Sequence, residues 1–150
     1  MKTTEIDLAD IVKTLETRIA DECETVDTGE AYDSMLDDCY DFSAVGGPFA
    51  GMLPSRVLRE CDPIAYRCGA NDYADSCRWI EIGRDSYEQR ECEAVKDELQ
   101  SELDALESEL EDEMEEAEGE EEQDAEEVAR ITGELAQIRA ALATLKKHSF

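Results

Sequence analysis

The chain has 150 residues, of which 41 are Asp or Glu and 14 are Lys or Arg, giving a formal net charge of −27 at pH 7. That balance repels phosphate backbones and anionic bilayers alike, so it excludes direct nucleic-acid or membrane binding without a localised basic patch, and basic proteins become the natural partners. No run approaches the roughly 20 consecutive apolar residues that span a bilayer, and 37% charged residues leave apolar side chains for one modest core.

The opening Met1-Lys2-Thr3-Thr4-Glu5 turns acidic where a secretory leader would be apolar, so the expected compartment is the cytoplasm. Leu8, Ile11, Val12, Leu15, Ile19 and Cys23 then recur at three- and four-residue steps, which predicts a helix within 5–25. A second helix is predicted beyond Gly29 on Tyr32, Met35, Leu36, Cys39 and Tyr40, with Asp33, Asp37, Asp38 and Asp41 outward. The two are expected to pair as an acidic face, since residues 1–54 hold 13 acids against three bases. Residues 43–54 contain three glycines and two prolines and read as a loop. No Gly-Lys-Ser/Thr follows it and no strand clearly precedes it, so a packed apolar connector is expected in place of a phosphate cradle.

Residues 55–90 change character, with seven acids and six arginines (Arg56, Arg59, Arg67, Arg78, Arg84, Arg90). Val57, Leu58 and Cys61 suggest a short helix, and Asp62-Pro63 is a helix start, Asp as cap and Pro preset for the first turn. Tyr73, Ala74, Cys77, Trp79, Ile80 and Ile82 concentrate aromatic and aliphatic mass, and the core is expected there. The arginines are expected to pair with the acidic helices.

From Glu91 to Lys147 two apolar seams flank an acidic run. Leu99, Leu103, Leu106, Leu110, Met114 and Ala117 form one, and Val128, Ile131, Leu135, Ile138, Leu142 and Leu145 form the other. The polar stretch Glu118–Asp124, with Gly119, predicts a fold-back with an acidic tip, and Leu103 and Leu106 are expected to face Ile131, Leu135 or Ile138. This segment carries 21 acids and five bases, a net of −16. Spread over an arm of about 39 Å at ~1.5 Å per residue, that is about one charge per 2.4 Å, close to the roughly 1.7 Å of duplex DNA. Glu107, Glu109, Glu111, Asp112, Glu113, Glu115 and Glu116 are the candidate partner-binding residues.

Catalysis and metal binding find little support. Cys23, Cys39, Cys61, Cys68, Cys77 and Cys92 include no pair two residues apart, and the single histidine, His148, lies in a terminal Lys-Lys-His-Ser-Phe tail not expected to be held rigidly. A thiolate metal site, a Ser/His/Asp triad and a Cys/His pair are therefore all unsupported, and no twelve-residue calcium-loop register exists. Carboxylates opposite apolar seams are solvated and lack the perturbation that acid–base catalysis needs. The expectation is a non-enzyme without cofactor, its cysteines buried free thiols.

Asp62-Pro63-Ile64-Ala65-Tyr66-Arg67-Cys68-Gly69-Ala70-Asn71-Asp72-Tyr73 resembles a short motif in small proteins of bacteriophages and prophages, over about a tenth of the chain. The resemblance implies a mobile-element origin, where acidic proteins that resemble DNA recur as counter-defence agents. The expected fold is all-α: a helical body (1–90) and a projecting antiparallel, coiled-coil-like hairpin (91–147), with 148–150 as tail. The expected function is a nucleic-acid mimic that occludes the basic surface of a DNA- or RNA-binding host or defence protein. The alternative is a structural or adaptor coiled coil, compatible with a homodimer, whose acids serve solubility or salt adaptation.

Overall fold

The computed structural model describes residues 6–44, 46–119 and 125–150. The described residues are mostly helical, 74%, with six α-helices and one two-stranded hairpin among them. The contacts divide it into two compact units, one holding the residues up to Cys23 together with Arg90–Phe150, the other Glu24–Gln89.

The first unit is built from α1 (Ile11–Glu22), α5 (Gln89–Gly119) and α6 (Ala125–Lys147). The predicted fold-back is present, since α5 and α6 lie in contact as a helical hairpin. The expected acidic tip includes residues 120–124, which lie outside the described residues. Arg139 meets Glu107 and Glu111, Arg130 meets Glu113, and Lys96 donates to the carbonyl of His148. These pairs fix the register. Leu103, one turn before Glu107, is therefore level with the turn after Arg139, near Leu142, and Leu106 with Arg139 and Ile138. The predicted seam residues lie on the two helices of this hairpin.

Two helices alone cannot seal a seam, and α1 supplies the third wall. Asp10 caps it, accepting from the Lys13 amide at 3.2 Å. Its face of Ile11, Leu15 and Ile19 is buried together with Cys92, Val95, Leu99, Leu103, Ile138, Leu142 and Leu145. The first helix therefore belongs with the hairpin in the first unit. Burial on α5 declines beyond Leu103, where Leu106 is 39% exposed while Leu99 is 0% exposed. At 12 residues, or about 18 Å, α1 is too short to cover the whole of α5. The terminal tail is also engaged, for Phe150 lies beneath Lys96 at 5.9 Å and its ring meets His148 at 5.1 Å.

The second unit holds α2 (Thr28–Cys39), a single 3-10 turn (Gly47–Phe49), α3 (Pro54–Cys61), α4 (Pro63–Ser76), β1 (Trp79–Ile82) and β2 (Asp85–Glu88). Asp27 caps α2 through the Gly29 and Glu30 amides, both at 3.0 Å, and Asp62 caps α4 through the Ala65 amide at 2.9 Å. The strands pair antiparallel with Ile82 opposite Asp85, leaving Gly83-Arg84 as a two-residue turn. Gly83 takes φ +68°, which suits a glycine at the first central position of such a turn. Among the described residues, the buried apolar ones of this unit are Tyr32, Leu36, Pro54 and Tyr87. Trp79, Ile80 and Ile82 are only half-buried, because a two-stranded ribbon has one covered face at most. The main core thus lies in the first unit and not at 73–82.

Leu99→Ala should cost about 2–5 kcal/mol by the cavity it leaves, whereas Leu106→Ala at a half-open position should cost less than about 1 kcal/mol. Urea denaturation of the two variants measures the contrast, and equal losses would contradict the three-walled core.

Candidate functional site

The acidity of the hairpin is not shared between its helices. Over its 31 residues α5 carries 14 acids and two bases, whereas α6, over 23 residues, carries three acids and four bases. One helix is strongly anionic and the other slightly cationic. That partition follows from the long run of Glu and Asp between Glu91 and Glu116 and from Arg130, Arg139, Lys146 and Lys147 on α6.

The seven candidate carboxylates separate accordingly. Glu107 and Glu111 are both held by Arg139, through Nε and Nη2 at 2.6 Å each, and Glu113 lies 3.7 Å from Arg130. These three face α6. Glu109, Asp112, Glu115 and Glu116 are exposed and make no ion pair among the described residues. The same outer face carries Asp97, Glu98 and Asp104, also exposed, which the sequence reading passed over. Their signal was available, since Asp97 to Asp104 and Glu109 to Glu116 are both seven-residue steps, two turns along one side of a helix. The outer row Asp97–Glu116 spans about 28 Å at ~1.5 Å per residue, so its seven carboxylates fall at roughly one per 4 Å. A single strand of B-DNA carries one phosphate per roughly 3.4 Å.

Near the stem, Arg18 of α1 binds Glu102 in a two-pronged pair, Nη1 to Oε1 at 2.9 Å and Nη2 to Oε2 at 2.7 Å. The guanidinium is buried, and its hydrogen bond holds the Glu102 carboxyl below the ordinary glutamate range. Arg130 and Arg139 make exposed pairs that solvent screens, and so set register more than stability.

In the second unit Tyr66 Oη donates to Asp33 Oδ1 at 2.6 Å, and Arg59 reaches both Asp33 and Tyr66. The Arg59 guanidinium also lies 4.8 Å from the Tyr66 ring centre. Tyr32 packs against Tyr66 and Tyr73 at 5.4 and 5.6 Å, and Tyr73 against Trp79 at 5.7 Å. Gly69 makes room for this cluster, because a Cβ there would run into Tyr32 Oη and come within 3.0 Å of Cζ. Four residues of the Asp62–Tyr73 motif thus have structural work: Asp62 caps, Tyr66 bonds Asp33, Gly69 admits Tyr32, and Tyr73 bridges to Trp79.

Of the six cysteines expected to be buried only Cys92 is, while Cys23 and Cys77 are half-buried and Cys39, Cys61 and Cys68 are exposed. Burial pushes the Cys92 thiol up to about 11, and burial, with the charges of Glu91 and Glu22, also raises Cys23. Neither is a ready nucleophile at neutral pH. Among the described residues no group of His, Cys, Asp and Glu is arranged to hold a metal ion, and no described helix is long and apolar enough to cross a membrane. Comparison with protein-family models, curated proteins and solved structures finds no match to this chain.

Gly69→Ala should destabilise the second unit although alanine favours a helix by about 1 kcal/mol. Loss of near-ultraviolet dichroism from the tyrosine and tryptophan cluster is the measurement, and an unaltered spectrum with unchanged stability would overturn it. Because like charges crowd the outer face of α5, the melting temperature should rise as the screening length falls from about 30 Å at 0.01 M salt to about 8 Å at 0.15 M. A fall would mean that the arginine pairs outweigh the repulsion.

Proposed function

We propose that the protein is an acidic interaction protein whose outer α5 face occupies the basic groove of a DNA- or RNA-binding protein and displaces the nucleic acid. The carrying observation is the band of Asp97, Glu98, Asp104, Glu109, Asp112, Glu115 and Glu116, exposed and without ion pairs among the described residues, whose average axial density is near that of the phosphates of one strand. A helix holds these groups in fixed order, so little is lost in ordering them on binding, and opposite charge steers the encounter. The resemblance of Asp62–Tyr73 to phage proteins directs the choice of partner toward a host or defence factor.

A second reading, an assembly or adaptor role, is favoured by the other side of the hairpin. Ala129, Gly133, Ala136, Ala140 and Ala143 of α6 are exposed at steps of four, three, four and three, a neutral seam of the kind along which helices pair. Sedimentation of the free protein separates the readings: a dimer lost on Ala136→Glu supports assembly, and a monomer supports the mimic.

Proteins captured from a bacterial lysate at low and moderate salt, then challenged with duplex DNA, provide the functional test. The mimic reading expects duplex to release the partner. The variant Glu109→Lys, Asp112→Lys, Glu116→Lys should weaken capture at least tenfold with helical content unchanged. Unaltered capture by that variant sinks the reading.

A further inference from the structure

Large apolar side chains that stay exposed are concentrated in the second unit, where Tyr40 is 58%, Phe49 44%, Met52 41% and Leu53 58% exposed. Singly scattered, such residues need no explanation, but clustered ones mark interaction surfaces. Tyr40, Met52 and Leu53 line one groove of about 450 Å³ with Phe42 and Pro54, and Asp37, Asp38 and Asp41 edge it.

The groove is tied open by hydrogen bonds. Leu53 stands at the N-cap position of α3 and offers no capping side chain, so α2 supplies the cap. Asp37 accepts from the Ser55 amide at 2.8 Å and from Ser55 Oγ at 2.9 Å, while Ser55 itself is buried. This cap from a neighbouring helix anchors one wall and leaves Leu53 facing outward. Asp41 accepts from the Ser43 amide at 2.7 Å and from Ser43 Oγ at 2.6 Å, which fixes the loop at the other wall. Phe42 and Phe49 meet at 6.3 Å.

Charge selects the occupant. A second copy would bring its own Asp38 and Asp41, with a net charge of −27 behind them, and an anionic bilayer is repelled for the same reason. The lining is mixed, and a purely polar cation would satisfy the acidic rim while leaving Tyr40, Met52 and Leu53 in water. We propose that this groove docks an apolar segment of another protein flanked by Lys or Arg, its apolar side chains between Tyr40 and Leu53 and its cations against Asp38 and Asp41. The site is separate from the outer face of α5 and stands whether or not that face binds a nucleic-acid-handling protein.

The test titrates the full chain with a fluorescent helical peptide of Leu and Lys, and with a Ser and Lys peptide of equal length and charge. The Leu/Lys peptide should bind at least tenfold more tightly. The variant Met52→Ser, Leu53→Ser should remove that preference, while Glu109→Lys, Asp112→Lys, Glu116→Lys should leave it in place. Should the double serine variant lose its helical dichroism, Asp38→Lys serves instead and should weaken the Leu/Lys peptide severalfold. Equal affinity for the two peptides, or a preference that survives the groove variants, overturns the proposal. So does a sedimentation dimer of the unmodified chain that Leu53→Ser dissociates, which would assign the groove to a second copy.

Discussion

Burial of Leu15, Ile19, Leu99, Leu103, Ile131 and Leu145 in the three-helix stem is the interaction on which the acidic helix depends. Each such side chain contributes about 1.5–3 kcal/mol when taken from water, while two like charges about 4 Å apart in water cost only ~1 kcal/mol. Solvent screening on the outside and dry packing on the inside therefore let one helix carry both a core face and a dense row of carboxylates. Exposed apolar area at Leu106 marks where this margin thins, since α1 no longer covers the seam there.

The periodicities that declare these helices were legible in the sequence, because a buried stripe must recur every three or four residues whatever it packs against. What packs against it was not. The face of Ile11, Leu15 and Ile19 would serve equally against α2 or the hairpin, and only the need to close the α5–α6 seam decides for the hairpin. Register was hidden for a related reason. The seams of α5 and α6 repeat every turn or so, and it is Arg139 between Glu107 and Glu111, an exposed contact without periodicity, that picks one alignment.

The strands were missed where Trp79-Ile80-Glu81-Ile82-Gly83-Arg84 carried a weak alternation and a turn glycine. The aromatic mass there suggested a core, but four-residue strands in a two-stranded ribbon bury little on their own. In contrast, Asp62-Pro63 announced its helix correctly, because a cap and a preset proline act through local geometry that tertiary context does not override. The distal cap from Asp37 to Ser55 could not be read at all, for its partners lie 18 residues apart.

Charge counting along the chain had the same limit. It located the acid-rich segment, yet a count cannot say which carboxylates are spent internally. The arginines of α6 take up Glu107, Glu111 and Glu113, so the anionic surface narrows from a whole arm to one side of one helix and extends back to Asp97. A cationic groove would meet carboxylates at the average axial density of one DNA strand and not the charge of a duplex. At 3.6 residues per turn, Asp97, Asp104 and Glu115 fall on one edge of that side and Glu98, Glu109 and Glu116 on the other, with Asp112 between them. The exposed acids are therefore a band and not a line, and a basic groove that met the whole band would need cations on both of its walls.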